Sequence, residues 1–303
     1  MSRQPRTSRF AAPSHTAAIT DSSSTSRQLL TKRTLLFGTG GVIALLAGGG
    51  AYVASELQGG HADYTAPDTQ PMLTTRGRLD DDSPTIERDG EWAIDDADAV
   101  VLFVHGFNTG PQAARDQSYT LDLGLSAHRD FPVVGYSWDS DVEWEPAKAT
   151  ADANAAPLAD WLGGWADDDG RPIHLIGYSL GARIVGETLR ELRAAGRVDA
   201  LASVSLLGGA IPANSVEDDE RYGDAIGGIN APVTNFYSGR DRVLGWVYRL
   251  SDRTSAVGSG GIADPTAAPD GYRDVAVTDL VADHYSYFDP EEGCLNRVAE
   301  NFD

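Results

Sequence analysis

A serine, an aspartate and a histidine stand in the chain in an order and a setting that suit nucleophilic attack on an acyl carbon. Ser179 lies in Gly177-Tyr178-Ser179-Leu180-Gly181, a G-x-S-x-G arrangement. The residues before it, from 172 to 177, read as a short buried strand. Those after it, 180–195, read as a helix with Ile184, Val185, Thr188 and Leu189 on one face. The flanking glycines let a strand turn sharply into a helix where side chains would clash, and the turn pushes the serine out in a strained backbone conformation. A serine hydroxyl is a weak nucleophile until a base takes its proton, and that base needs a carboxylate to fix its tautomer.

His284 is the one histidine after Ser179, in a loop beyond the last strand, and is the candidate base. His174 lies inside the strand that leads to the serine and reads as a core or edge residue. Asp241 follows the strand at 232–237 and is the candidate orienting acid, with Asp279 as runner-up. Asp283 adjoins the histidine and is poorly directed towards it; Asp218, Asp219 and Asp224 fall in a polar insertion. His105-Gly106-Phe107-Asn108 closes the first apolar strand, 99–104. Backbone amides of Phe107 and Leu180 could there form a hole for the oxyanion of a tetrahedral intermediate. Asn108 braces this loop or caps the next helix. Asn108 and Trp138, which ends the strand at 132–138, are the candidate substrate contacts, with core packing as the competing reading of Trp138.

Positioning these residues requires alternating strands and helices. Helices are expected at 112–128, 147–165, 180–195, 243–250 and 292–301, and strands at 99–104, 132–138, 172–177, 200–207, 232–237 and 272–277. Apolar strands alternating with helices predict an α/β fold with a mainly parallel sheet covered on both faces. Two strand-like runs within 76–98 predict an antiparallel edge hairpin.

The run from His105 through Ser179 and Asp241 to His284 resembles the α/β-hydrolase superfamily, in its serine esterase and lipase branch, over roughly residues 90–300. HGFNT, YSW and GYSLGAR are similar to a group of largely uncharacterised members. The resemblance implies a serine hydrolase that cleaves an acyl bond, most readily a carboxylic ester of a small or lipid-like substrate, without a cofactor. An acyltransferase using the same acyl-enzyme, and a non-catalytic membrane-tethered binding module, are the alternatives. A serine nucleophile argues against dehalogenases and epoxide hydrolases. The acidic insertion at 211–229 stands where the superfamily places a cap, and its shortage of large apolar side chains argues against interfacial activation.

Composition narrows the surroundings. The net charge is −21, with 45 acidic and 24 basic residues, yet residues 1–55 carry +5. Lysine occurs only at 32 and 148. An acidic coat without a basic stripe argues against nucleic-acid binding and suits a protein of high-salt surroundings, where screening removes self-repulsion. The single cysteine, Cys294, excludes an internal disulfide and a cysteine zinc site. Asp139, Asp141 and Glu143 lack the glycine and spacing of a calcium loop, so no metal is expected.

Residues 1–33 are rich in Ser, Thr and Arg and read as a disordered basic region. Residues 34–54 form an uncharged run of 21 residues, long enough to span a bilayer, behind Lys32-Arg33. This is an export signal or a membrane anchor, which places the globular part outside the cytoplasm. Residues 55–75 read as a linker and 76–303 as the folded domain. Oligomeric state has no signature in the sequence.

Overall fold

The computed structural model describes residues 64–79 and 84–302. The basic region and the apolar run at 34–54 lie outside the described residues, as does the first part of the linker. Eight strands form one sheet: β1 (Met72–Thr74), β2 (Glu87–Asp89), β3 (Val100–Val104), β4 (Val133–Ser137), β5 (Ile173–Tyr178), β6 (Ser203–Leu207), β7 (Val233–Tyr237) and β8 (Tyr272–Ala276). Their order is β2-β1-β4-β3-β5-β6-β7-β8, and every neighbouring pair is parallel except β1 with β2.

The continuous apolar runs follow from burial on both faces. Along β3, Val100, Leu102 and Val104 join one apolar cluster and Val101 and Phe103 another, as the two-residue period of a strand demands. The first cluster packs under α2 (Trp144–Ala153), α3 (Ala155–Asp168) and α4 (Gly181–Ala194). The second packs under α1 (Pro111–Leu125) and the C-terminal helix Leu295–Ala299. This is the fold class the alternation of elements predicts.

Three departures have physical causes. The stretch from 66 to 75 is not linker: the Ala66 amide donates to Asp116 at 2.9 Å, and Leu73 is fully buried in β1 between β2 and β4. The sequence offers only the Met72-Leu73 pair as an apolar signal, and pairing on both sides makes so short a strand sufficient. The edge hairpin exists, but β1 and β2 form it. The helix expected over 147–165 is two helices divided at Asn154. The Asn154 Oδ1 accepts from Thr75 Oγ1 at 2.6 Å and from Tyr136 OH at 2.8 Å, and its Nδ2 donates to the Thr150 carbonyl at 2.8 Å. A side chain that competes this well for backbone and hydroxyl partners favours helix ends over interiors.

The insertion at 211–229 begins beside the strand ends, where Pro212 bridges Ala256, and then runs along α4. Val216, Tyr222, Ala225 and Ile226 join the core there. A six-residue helix, Gly223–Gly228, completes it.

Candidate active site

Ser179 follows the last residue of β5 and precedes α4, at the carboxyl ends of the parallel strands. Its φ is +53°, a left-handed conformation that is strained for a residue with a Cβ. A Cβ at Gly181 would lie 2.3 Å from the Val104 carbonyl oxygen, and one at Gly177 would lie 2.8 Å from Val185 Cγ2, so the turn closes only with glycine at both. The Ser179 amide donates to the Leu207 carbonyl at 3.0 Å, and its carbonyl accepts from Ala182 at 3.1 Å and Ala210 at 2.9 Å. The strained turn is therefore held from β6 and from the segment after it.

The three residues named from the sequence come together. Ser179 Oγ lies 2.9 Å from His284 Nε2, and His284 Nδ1 lies 2.7 Å from Asp241 Oδ2. A carboxylate only accepts, so Nδ1 carries the imidazole proton and Nε2 is free to accept from the serine. The second oxygen of Asp241 accepts from the Leu244 amide at 2.9 Å, which fixes the carboxylate. All three side chains are buried. The runner-up Asp279 is exposed on the turn after β8. Asp283 is occupied in its own turn, accepting from the amides of Tyr285 and Ser286.

The loop after β3 abuts the serine, since a Cβ at Gly106 would lie 2.7 Å from Ser179 Cβ. Phe107 follows Gly106 in this loop and Leu180 follows Ser179, so both residues named for the oxyanion adjoin the serine turn in the chain. His105 is fully buried and holds this loop. Its Nδ1 donates to the Gly106 carbonyl at 2.9 Å and its Nε2 accepts from the Trp138 amide at 3.2 Å. Burial, with the Arg76 charge second, pushes its pKa down to about 3, so the ring is neutral. Asn108, with φ +54°, donates its amide to the Ser140 carbonyl at 2.9 Å and ties the loop to the one after β4.

Trp138 is not a substrate contact in this conformation. It is fully buried, stacked on His105 at 5.5 Å, and its Nε1 donates to the His105 carbonyl at 2.9 Å. A side chain without accessible surface offers a ligand nothing; it braces the loop at 105–108 instead. His174 is a core residue, between Phe131 and Phe302, with Nδ1 2.8 Å from Ser203 Oγ. Asp139 and Asp141 face Arg76 at 3.5 and 2.9 Å, and no cluster of metal-ligating side chains occurs among the described residues.

Three further residues matter. Tyr178 OH donates to the His284 carbonyl at 2.8 Å. Tyr287 OH accepts from the Ser238 amide at 3.0 Å and donates to the Gly258 carbonyl at 3.1 Å, under the loop that carries Asp241. Arg76 Nε donates to Ser137 Oγ at 2.7 Å, and its other nitrogens reach Asp141 and the Thr109 carbonyl. Tyr178 was visible inside the G-x-S-x-G stretch; Arg76 had no signal. Near the serine turn Leu244, Tyr248, Ala210 and Ala256 cluster together, joined by Trp144, whose ring meets Phe107 edge-on at 5.1 Å.

A family model described as "Protein of unknown function (DUF726)" matches residues 119–300, more than half of the chain. The chain belongs to the DUF726 family. The matched span takes in Ser179, Asp241 and His284 but not the loop at 105–108, so the residues around the hydroxyl come from inside and outside it. This DUF726 chain is 30% identical over 162 residues to the transmembrane and coiled-coil domain-containing protein STS1 of Oryza sativa subsp. japonica, covering 53% of this chain and 23% of that one. It is 28% identical over 173 residues to an uncharacterized membrane protein of Schizosaccharomyces pombe, covering 55% and 21%. It thus spans less than a quarter of the length of these relatives. No helix among the described residues is long and apolar enough to cross a membrane.

Among solved structures, an esterase of Pyrococcus furiosus matches with a TM-score of 0.43 and 14% identity, over 69% of this chain and 82% of that one. The mature lipase BlEst2 of Bacillus licheniformis matches with a TM-score of 0.39 and 15% identity, over 63% and 87%.

Proposed function

We propose that this DUF726 protein is a serine hydrolase that cleaves an acyl bond, a carboxylic ester foremost, through an acyl-enzyme on Ser179. The observation that carries the reading is the unbroken chain from Ser179 Oγ through His284 to Asp241, at 2.9 and 2.7 Å, on a strained strand-to-helix turn. Strain held at such a turn favours a functional role for the residue that bears it.

In this reading the Ser179 oxygen attacks the acyl carbon as its proton passes to His284 Nε2. Asp241 stabilises the imidazolium through Nδ1–H. The amides of Phe107 and Leu180 face the oxyanion, where one such donor contributes about 3 kcal/mol to transition-state stabilisation. The imidazolium returns its proton to the leaving alcohol, and water, deprotonated by the same ring, releases the acid. No step calls for a metal or a cofactor. Export or anchoring through 34–54 and adaptation to high salt belong to the same proposal, resting on the apolar run and the net charge of −21.

The test is a fluorophosphonate probe followed by p-nitrophenyl acetate and butyrate, with Ser179→Ala and His284→Ala alongside. Labelling and turnover present in the wild type and lost in both variants support the mechanism. A folded wild-type protein that neither labels nor turns over overturns it.

A further inference from the structure

The segment that follows Asp241 has two contrasting faces. It consists of a π-helical turn, Val243–Tyr248, continued by a short helix, Arg249–Asp252. Leu244 and Tyr248 are buried against Ala210, Ala256 and Trp144. Arg242, Trp246, Arg249 and Arg253 are exposed, Trp246 to 70%. Arg242, Trp246 and Arg249 recur every three to four residues along this stretch, and Arg253 ends it in a left-handed turn at φ +58°.

The charge on this side is out of character with the protein. Many arginines elsewhere sit against carboxylates, as Arg183 on Asp152, Arg197 on Asp167 and Arg221 on Glu187, while Arg88 stacks on Trp92 and Arg273 donates to Thr234 and Asn301. Arg240, Arg242, Arg249 and Arg253 form no ion pair among the described residues; Arg249 donates to Ser255 Oγ at 2.7 Å and Arg240 to the Thr278 carbonyl at 3.4 Å. A chain of net charge −21 thus keeps four arginines around one exposed indole. The other large apolar side chains exposed among the described residues, Val142 and Leu280, stand on the loops after β4 and β8, at the same end of the sheet.

We propose that residues 240–253 form a membrane-contact surface for an anionic lipid bilayer, with Trp246 entering the headgroup region and the arginines binding lipid phosphates. An indole flanked by cations, over a buried apolar face, is the composition of an interfacial segment. Each basic residue near an anionic surface adds to the attraction. Ahead of the described domain, the uncharged run at 34–54 has the length of a bilayer span. Residues 55–63 reach at most about 30 Å, so a retained span holds the domain within touching distance of the bilayer. Residues 240–253 follow β7 at the same end of the parallel sheet where Ser179 follows β5, so docking here brings that end to the lipid, which makes membrane-borne acyl esters the substrate class; that last step alone rests on the hydrolase reading.

The test uses the full chain with Trp246→Cys carrying an environment-sensitive fluorophore. Cys294 is buried and its thiol is pushed up to about 12 by burial, so it does not compete for the label. A second protein carries the label at Glu191→Cys, exposed on α4. Phosphatidylglycerol–phosphatidylcholine vesicles should blue-shift the label at 246 and not at 191, and phosphatidylcholine alone should not. Arg242→Gln/Arg249→Gln/Arg253→Gln should abolish the shift. Circular dichroism confirms folding, and because all four side chains are exposed the variants retain the core; Arg→Lys replacements at the same three sites should keep the shift. No shift at 246, equal shifts at both positions, or equal shifts with both lipids overturns the proposal. So does a shift that grows with protein concentration without vesicles, which assigns the surface to a second copy. The readout does not use catalysis, so a protein that docks without turnover overturns the hydrolase reading alone.

Discussion

The hydroxyl of Tyr178 donates to the backbone carbonyl of His284 at 2.8 Å, so the residue preceding Ser179 fastens the loop that carries its hydrogen-bond partner. The two rings are 5.2 Å apart. Serine and histidine are 105 positions apart in sequence, and this bond makes their registration local. Tyr178→Phe keeps the packing and removes the bond, a loss of about 1 kcal/mol. If that loss falls on the placement of His284 in the transition state, kcat falls about fivefold with KM little changed. Steady-state kinetics on p-nitrophenyl butyrate read the split; an unchanged kcat assigns Tyr178 to packing only.

Asp241→Asn tests the orienting role. The amide oxygen can still accept from the Leu244 N–H, which leaves the NH2 facing His284 Nδ1. That geometry favours the tautomer with the proton on Nε2, which cannot accept from Ser179. Where the same change misplaces an imidazole proton, kcat drops about 10⁴-fold. Asp279→Asn, on an exposed turn, should leave turnover within about twofold. Equal losses in the two variants would reverse the assignment of the acid.

Backbone strain at Ser179 has its own signature. At φ +53° a residue with a Cβ is strained by roughly 1–2 kcal/mol, whereas glycine is not. Glycine's extra freedom in the unfolded chain offsets about 0.5–1 kcal/mol of that relief. Ser179→Gly should therefore be more stable than Ser179→Ala by up to about 1.5 kcal/mol, although both lose the hydroxyl and both fail to label. Urea unfolding of the pair isolates the backbone term. Alanine as the more stable of the two would mean that the turn relaxes.

The parts of this site legible in sequence are those where one residue type meets one local pattern. Ser179 sat between glycines at a change of hydrophobic period, His284 was the one histidine beyond it, and Asp241 followed a strand. The parts that escaped act across long separations. Arg76 binds loops more than thirty residues away, and nothing about an arginine in an edge region announces that. Asn154 divides a helix because Thr75 and Tyr136 lie within reach, a condition set by the sheet rather than by its neighbours. Trp138 shows the opposite error, since a large aromatic at a strand end looks like a pocket wall until His105 is stacked on it. The segment after Asp241 was expected as a short helix, but its two faces emerge only when burial is known.

Two buried histidines set the pH dependence of stability. Burial and the Arg76 charge push His105 down to about 3; burial and the Arg129 charge push His174 down to about 4. In the unfolded chain each titrates near 6.5, so below that pH the unfolded state binds protons that the folded state refuses. Stability from this source is complete above pH 6.5 and is lost as pH falls towards about 4 and then about 3. Between pH 7 and pH 5 each histidine should remove about 2 kcal/mol. Carboxylates held low by arginines, such as Asp152 beside Arg183, lose their contribution only at lower pH, which leaves this window to the imidazoles. His174→Phe keeps the stack with Phe131 and Phe302 without a titrating group. Urea midpoints at pH 7 and pH 5 should show a smaller loss in this variant by about 2 kcal/mol, and an equal loss would mean that His174 is protonated within the fold.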